Sequence, residues 1–214
     1  MLPLTGGHFH FDLAHVRREC GCYPDPGTPE NDAWPRFLGG WDFLGTVEHH
    51  LDTDVAPGLI DAKPITNGQF EIFLAATDYQ PEDKTNFLKH WGGPRCPEAL
   101  RDQPVVYVDL TDARACAAWA GKRLPTEWEW QRGAEEHPGD FQYGQVWEWT
   151  ESERDDGHNR FVMVRGGCEW RAVGSIWYFP TGPQPVNSHA KFLLIYPGYD
   201  RCATIGFRCV SPLR

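Results

Sequence analysis

Near the start of the chain, three side chains that bind metals well recur at every second position. His8, His10 and Asp12 alternate with two phenylalanines. This alternation predicts a half-buried strand over residues 5–13, because successive side chains of a strand point to opposite faces. Imidazole and carboxylate groups on one face suit iron or zinc, and His15 could supply a further ligand. The alternative is an exposed polar strand face without a metal.

The cysteines do not follow a pattern typical of a metal site or a disulfide framework. The seven are Cys20, Cys22, Cys96, Cys116, Cys168, Cys202 and Cys209. Their number is odd, and no two have C-x-x-C spacing. Cys20 and Cys22 are too close for an ordinary bridge and lack a second pair to complete a zinc site. We therefore expect buried or reduced thiols.

Two short helices are predicted on either side of a sharp corner in the middle of the chain. Thr111 can cap the first helix, and Gly121 supplies the left-handed residue that ends it. Thr126 with Glu129 forms a capping box that opens the second helix, which contains Trp130. Tryptophans clustered at this corner indicate that both helices pack on the main core.

Other elements follow from similar local patterns. Thr66 with Gln69 is another capping box and predicts a third helix. Short strands are predicted from alternating or apolar runs at residues 104–108, 146–150, 161–165 and 205–210. Because the chain ends on a core-type strand, we expect the amino- and carboxy-terminal strands to pair with each other.

Composition and charge limit the classes of function. Among 214 residues, 22 glycines and 18 prolines favour turns and irregular segments over long regular elements. A formal charge of −10 without a basic cluster argues against nucleic-acid binding. No apolar run approaches the roughly 20 residues of a membrane span, and the amino terminus has no hydrophobic signal region. We expect one domain over residues 1–214, located in the cytoplasm, that binds neither nucleic acid nor a membrane.

Four motifs in a fixed order carry a family resemblance. They are Pro64–Asn67, Trp119–Glu127, Gly144–Trp149 with Val164–Gly167, and Gly206–Cys209. With these motifs the chain resembles the sulfatase-modifying-factor family, to which the formylglycine-generating enzymes belong, over nearly its whole length. The resemblance implies an α+β fold of the C-type-lectin type, with short helices, antiparallel strands and much irregular loop.

The resemblance fails at the copper site. The formylglycine-generating enzymes hold copper with two cysteines in a C-x-x-x-x-C arrangement between their Arg-Gly-Gly and Gly-Phe-Arg-Cys motifs, and they oxidise a cysteine of sulfatases to an aldehyde. Here no cysteine lies between Cys168 and Cys202, and Cys168 stands where the family has a serine. Two thiolates suit Cu(I), which is a soft ion. Copper is therefore not the expected cofactor.

Two further family features are only partly matched. Gly144 and Glu148 correspond to two of the calcium ligands that the resemblance implies, so a structural calcium ion is a hypothesis; calcium prefers six to eight oxygen ligands. The family's structural cysteine falls at Ala117, one position after Cys116. A bridge between Cys116 and Cys209 is a second hypothesis.

We consider three functions, and the sequence leaves open whether the protein is an enzyme. The first is a binding module that holds a peptide, protein or small molecule in a loop-lined cleft. The residues assigned to that cleft are Trp147, Trp177, His189 and Cys168. Trp147 would fit the core equally well, and His189 could instead be structural.

The other two functions need different residues. A metal-dependent oxidoreductase or oxygenase acting on a peptide thiol or small molecule would have to take its ligands from His8, His10, His15, Cys20, Cys22 or His189. A recognition protein of the type diversified by retroelements would use residues 169–201 as its variable face.

Overall fold

The computed structural model describes residues 1–16, 46–155, 160–170 and 182–213. The helices of this part are α1 (Asn67–Thr77), α2 (Leu110–Trp119), α3 (Glu127–Glu136) and α4 (Pro197–Asp200), with single 3-10 turns at Lys89–Trp91 and Glu98–Leu100. The strands are β1 (Leu2–Leu4), β2 (Gly7–Val16), β3 (Thr46–Val55), β4 (Gly58–Ile60), β5 (Trp147–Asp155), β6 (Arg160–Arg165), β7 (Gly167–Cys168), β8 (Gly182–Pro183), β9 (His189–Leu194), β10 (Ile205–Phe207) and β11 (Val210–Pro212). Short helices and mainly antiparallel strands confirm the predicted α+β class.

The described strands form four small sheets. The largest has the order β10-β5-β6-β9, in which β10 runs parallel to β5 and the other pairs are antiparallel. A second sheet has the order β1-β4-β11, and the pairs β2–β3 and β7–β8 form two-stranded ribbons. None of the described helices combines the length and apolar character that a membrane crossing requires.

The capping residues set the helix starts. Thr66 and Thr126 each form the predicted capping box at the start of α1 and α3. The prediction that Thr111 caps α2 is wrong. Asp109 is the cap, and it exchanges hydrogen bonds with Asp112 at 2.8 and 2.9 Å. Gly121 has φ of +67° after α2, as predicted for the residue that ends it.

The terminal strands share a sheet but do not pair with each other, so that prediction is wrong. Ile60 of β4 lies opposite both Leu2 of β1 and Val210 of β11. The strand β4 therefore separates them. The predicted strand over residues 205–210 is divided into β10 and β11, which join different sheets.

No strand forms over residues 104–108, in contrast to the prediction. Pro104 makes one isolated bridge to Thr66, and Tyr107 has φ of +56°, which is incompatible with continued extended structure. Val105 and Val108 are nevertheless wholly buried. The apolar pattern therefore indicated burial correctly and secondary structure incorrectly.

The described residues form two buried apolar clusters. The larger includes Trp147 and Trp149 of β5 together with residues of α1 and α2. The smaller surrounds Trp130 of α3 and includes Ile60 and Phe141.

Candidate functional site

A buried charge cluster lies where helix α3 meets strands β6 and β9. Glu127 begins the helix, and Arg165 of β6 lies opposite His189 of β9. Nδ1 of His189 is 2.8 Å from Oε2 of Glu127, and Nη1 of Arg165 is 3.7 Å from the same oxygen. Arg165 also donates to Oε1 of Gln131 at 2.8 Å and to the carbonyl of Val186. These contacts tie the helix to the sheet.

Burial and the neighbouring charges together set the protonation states of this cluster. Burial opposes the ionisation of Glu127, but the hydrogen bond from His189 and the charge of Arg165 outweigh it and lower the pKa of the carboxyl. Burial also lowers the pKa of His189, against the effect of Glu127, and lowers the pKa of Arg165 to about 10. At neutral pH an anionic Glu127 therefore pairs with a cationic Arg165, while a neutral His189 donates its Nδ1 proton to the carboxylate.

The surroundings of His189 are enclosed. Only 4% of the residue is exposed, and its ring centroid lies 6.1 Å from that of His49. These contacts give His189 a structural role. Its assignment to a ligand-binding cleft stays a prediction.

A second buried ion pair joins Glu148 of β5 to Arg208. Nε of Arg208 is 2.5 Å from Oε2 of Glu148 and its Nη2 is 2.8 Å from Oε1. Trp130 donates its indole N–H to Oε2 at 3.0 Å, and the guanidinium carbon lies 3.7 Å from the centroid of the Phe141 ring. Both members of the pair are wholly buried. Each carboxylate oxygen therefore accepts at least one hydrogen bond, and the arginine balances the charge.

This arrangement bears on the calcium hypothesis. Gly144 lies three residues before β5 with φ of +92°, and a Cβ atom there would lie 2.8 Å from the ring of Pro183. Glycine is thus required by conformation and by space. Glu148 is already paired with Arg208 and accepts a hydrogen bond from Trp130. A calcium-binding role for Gly144 and Glu148 stays a prediction.

Cys168, the last residue of β7, lies close to Trp147 and Cys202. Cys168 and Trp147 are 3% and 1% exposed, and Trp147 belongs to the larger core cluster. Burial raises the pKa of the Cys168 thiol, and the nearby Cys202 contributes in the same direction. Both thiols are free. Trp177, the fourth residue assigned to the cleft, lies outside the described residues.

An exposed group of histidines and aspartates lies on the β2–β3 ribbon. The predicted polar face of His8, His10 and Asp12 is present on one side of β2, and His50 of β3 joins it. Metal binding by this face stays a prediction. Suitable ligand atoms of His10, Asp12 and His50 all lie within 4.8 Å of one another. Cys20, Cys22 and the side chain of His15 lie outside the described part of the chain.

Comparison with known proteins identifies the family of this chain. The model of the "Sulfatase-modifying factor enzyme 1-like domain" matches residues 4–143, which is more than half of the chain. The chain belongs to the sulfatase-modifying-factor family. Its fold is therefore of the C-type-lectin type, in agreement with the short helices, the small antiparallel sheets and the long irregular segments.

Several named relatives match parts of the chain. The formylglycine-generating enzyme of Thermomonospora curvata is 29% identical over 170 residues, which cover 64% of this chain and 54% of the relative. That of Bos taurus is 33% identical over 110 residues, or 51% of this chain and 29% of the relative. The inactive C-alpha-formylglycine-generating enzyme 2 of Mus musculus is 32% identical over 133 residues, or 46% and 42%. The chain thus spans about half or less of each of these relatives.

The disulfide suggested by the resemblance to the sulfatase-modifying-factor family is not formed. Cys116 and Cys209 are both free and buried, so the bridge hypothesis is wrong for this structure. Burial raises the pKa of the Cys116 thiol to about 12 and raises the pKa of Cys209 as well. Both side chains therefore act as small apolar groups of the core.

The sequence alone did not show which charged residues pair in the two buried charge clusters. Glu127, Arg165 and Arg208 stand within the motifs that carried the family resemblance, but the motifs do not say which charges meet. The available signal was that charged residues occur inside otherwise apolar motifs. A buried charge needs a partner of opposite sign, so these residues were candidates for ion pairs.

Proposed function

We propose that this chain is a formylglycine-generating-enzyme-like protein that does not perform copper-thiolate oxidation and acts as a binding module. One observation carries the proposal: residues 169–201 contain no cysteine. A soft Cu(I) ion is bound by thiolate in preference to imidazole or carboxylate. Without any thiol in this segment, the two-cysteine copper site of the family enzymes cannot be assembled in the same way.

The state of Cys168 supports the proposal. A thiol must lose its proton to bind metal or to act as a nucleophile. Burial raises the pKa of Cys168, so the thiol form is favoured at neutral pH. Cys202 is the nearby thiol that could pair with it, and the experiment below includes both residues.

A named relative is consistent with a family member that lacks the activity. The mouse protein that is 32% identical over 133 residues is called an inactive C-alpha-formylglycine-generating enzyme 2. We extend that property to this chain on the strength of its missing cysteine pair.

Exposed apolar side chains supply a binding surface. Half of the large apolar residues exposed in the described part of the chain lie within 169–201, namely Trp170, Leu193, Ile195, Tyr196 and Tyr199. The rings of Tyr196 and Tyr199 pack edge to face, with centroids 6.2 Å apart. Tyrosine contributes strongly to protein interfaces, so the Tyr196–Tyr199 pair suits a peptide or protein ligand.

The oxidative part of the proposal is tested with copper and a substrate of the family. Purified protein is loaded with Cu(I) and incubated in air with a sulfatase-derived peptide that contains the target cysteine, and the peptide is analysed by mass spectrometry. We expect the cysteine to stay unchanged. Formation of the aldehyde in wild type, and its loss in Cys168→Ser or Cys202→Ser, would overturn the proposal.

The binding part is tested with the same peptide, labelled for fluorescence anisotropy. We expect saturable binding that Tyr199→Ala weakens about tenfold or more. Ile72→Ala removes another exposed apolar side chain, on α1, and is the control. An unchanged affinity in Tyr199→Ala, or no binding by wild type, would contradict this surface as a peptide site.

A further inference from the structure

The outer face of the β2–β3 ribbon carries three successive histidine–aspartate pairs. The strands are antiparallel, and their register places His8 opposite Asp54, His10 opposite Asp52 and Asp12 opposite His50. Residues directly opposite each other project from the same face. The order of the two residue types reverses at the third pair, so each strand contributes both imidazole and carboxylate groups to one surface.

The reversal brings two imidazoles to one carboxylate. Oδ1 of Asp12 lies 2.5 Å from Nδ1 of His50 and 3.3 Å from Nε2 of His10. In a tetrahedral site with bonds of about 2.0–2.2 Å, neighbouring ligand atoms lie roughly 3.3 Å apart. The His10 contact already has this separation, and the His50 contact needs a side-chain adjustment of about 1 Å. The side chains are 50–62% exposed, so they are free to make it.

Asp52 orients one of these imidazoles. Its Oδ1 atom lies 2.7 Å from Nδ1 of His10. The aspartate accepts the Nδ1 proton, which leaves Nε2 as the nitrogen that faces Asp12. An aspartate behind a ligating histidine is the usual second-sphere partner in metal sites, because it fixes the ring and its tautomer.

The ribbon is anchored on its other face. Phe11 and Leu13 are buried there, and the Phe11 ring packs edge-on against Trp128 with centroids 6.4 Å apart. Nε2 of Gln131 donates to the carbonyl of Asp12 at 3.0 Å. The backbone of Asp12 is therefore fixed by helix α3. Only side chains need to move for the three ligands to surround an ion.

We propose that His10, Asp12 and His50 form a binding site for a divalent transition-metal ion of the zinc or iron(II) class, with Asp52 as the residue that positions His10. Two imidazoles and one carboxylate are a donor set that these ions prefer, and it leaves further coordination positions open. The set differs from the sequence-based expectation, because His50 replaces His8. His8 lies one pair further along and contacts Asp52 and Asp54 at 3.3 and 3.8 Å.

The site is tested by titration of the metal-free protein with Zn²⁺, followed by calorimetry. We expect one saturable equivalent in wild type, at least about tenfold weaker binding in His10→Ala and His50→Ala, and a loss of about 10–100-fold in Asp52→Asn. His8→Ala removes a histidine of the same ribbon outside the site and should stay within about threefold of wild type. Absence of saturable binding, or equal affinity in wild type and His50→Ala, would overturn the proposal.

Co²⁺ identifies the ligands independently. Nitrogen and oxygen ligands give visible d–d bands without the near-ultraviolet charge-transfer band of a thiolate. A thiolate band in wild type would place the ion at a cysteine and contradict the site. Circular dichroism of each metal-free variant controls for folding, and Zn²⁺ should raise the melting temperature of wild type but not of folded His50→Ala.

Discussion

Glu127 and His189 are joined by a 2.8 Å hydrogen bond although 62 residues separate them in the sequence. The bond connects the first turn of helix α3 to the start of strand β9. Arg165 approaches the same carboxylate oxygen, so one glutamate serves both a neutral imidazole and a buried cation. The helix and the sheet are therefore positioned by charge as well as by apolar packing.

Replacing Glu127 with glutamine tests this cluster. The amide can still accept from His189, but it cannot balance the buried charge of Arg165. Removing one member of a buried ion pair typically costs about 3–5 kcal/mol, and we expect a loss of that size in the free energy of unfolding measured with urea. Glu98→Gln, whose side chain is 93% exposed beside Arg101, should change stability by less than about 0.5 kcal/mol. Equal effects in the two variants would contradict the cluster.

Glu148→Gln distinguishes an ion-pair role from a calcium role. Because Arg208 already balances Glu148, we expect the variant to lose about 3–5 kcal/mol both in calcium and in the presence of a chelator. If Glu148 serves only the ion pair, wild-type stability should be the same under both conditions. If calcium stabilised wild type but not the variant, Glu148 would instead be a calcium ligand.

His90 makes stability depend on pH. Burial lowers its pKa to about 4 from an ordinary value of 6.5. Below pH 6.5, His90 therefore takes up a proton in the unfolded chain, whereas in the folded protein it does so only near pH 4. The free energy of unfolding falls as the pH is lowered across this interval.

His90→Gln keeps a donor for the Oδ1 atom of Asn67, which His90 contacts at 2.7 Å through Nε2. The variant should lose less stability than wild type when the pH is lowered from 6.5 to 4 in urea titrations. Parallel pH profiles for the two proteins would show that His90 does not titrate in this way.

The thiols of Cys116 and Cys209 should stay reduced and unreactive. Burial raises both pKa values, and a protonated, enclosed thiol reacts slowly with alkylating agents. Peptide mapping by mass spectrometry after treatment of the folded protein with iodoacetamide should show these two residues neither alkylated nor bridged. A mass increase on reduction, with a bridged Cys116–Cys209 peptide in the digest, would contradict the structure.

Local spacing was sufficient to predict some elements. The side chains of Thr66 and Thr126 reach a backbone N–H three residues away, so the capping boxes depend only on neighbours in sequence. The start of α2 was misplaced because Asp109, two residues before Thr111, forms a capping box with Asp112. Which cap forms depends on packing around Asp109, since that residue is buried.

Contacts between segments that lie far apart in the sequence could not be predicted from local spacing. The alternation in β2 predicted a histidine–aspartate face, but only the register with β3 brings His50 rather than His8 to Asp12. Likewise, nothing local indicates that Arg208 meets Glu148 or that β4 separates the terminal strands. These contacts depend on the complete fold. The family resemblance predicted that fold but not which residues pair within it.

X-ray absorption at the copper edge shows whether this chain holds copper with the thiols of Cys168 and Cys202. Protein loaded with one equivalent of Cu(I) is compared with its Cys168→Ser and Cys202→Ser variants. We predict a copper first shell that is the same in all three proteins, because neither Cys168 nor Cys202 is a ligand. Two sulfur ligands per copper in wild type, reduced in either variant, would contradict the claim.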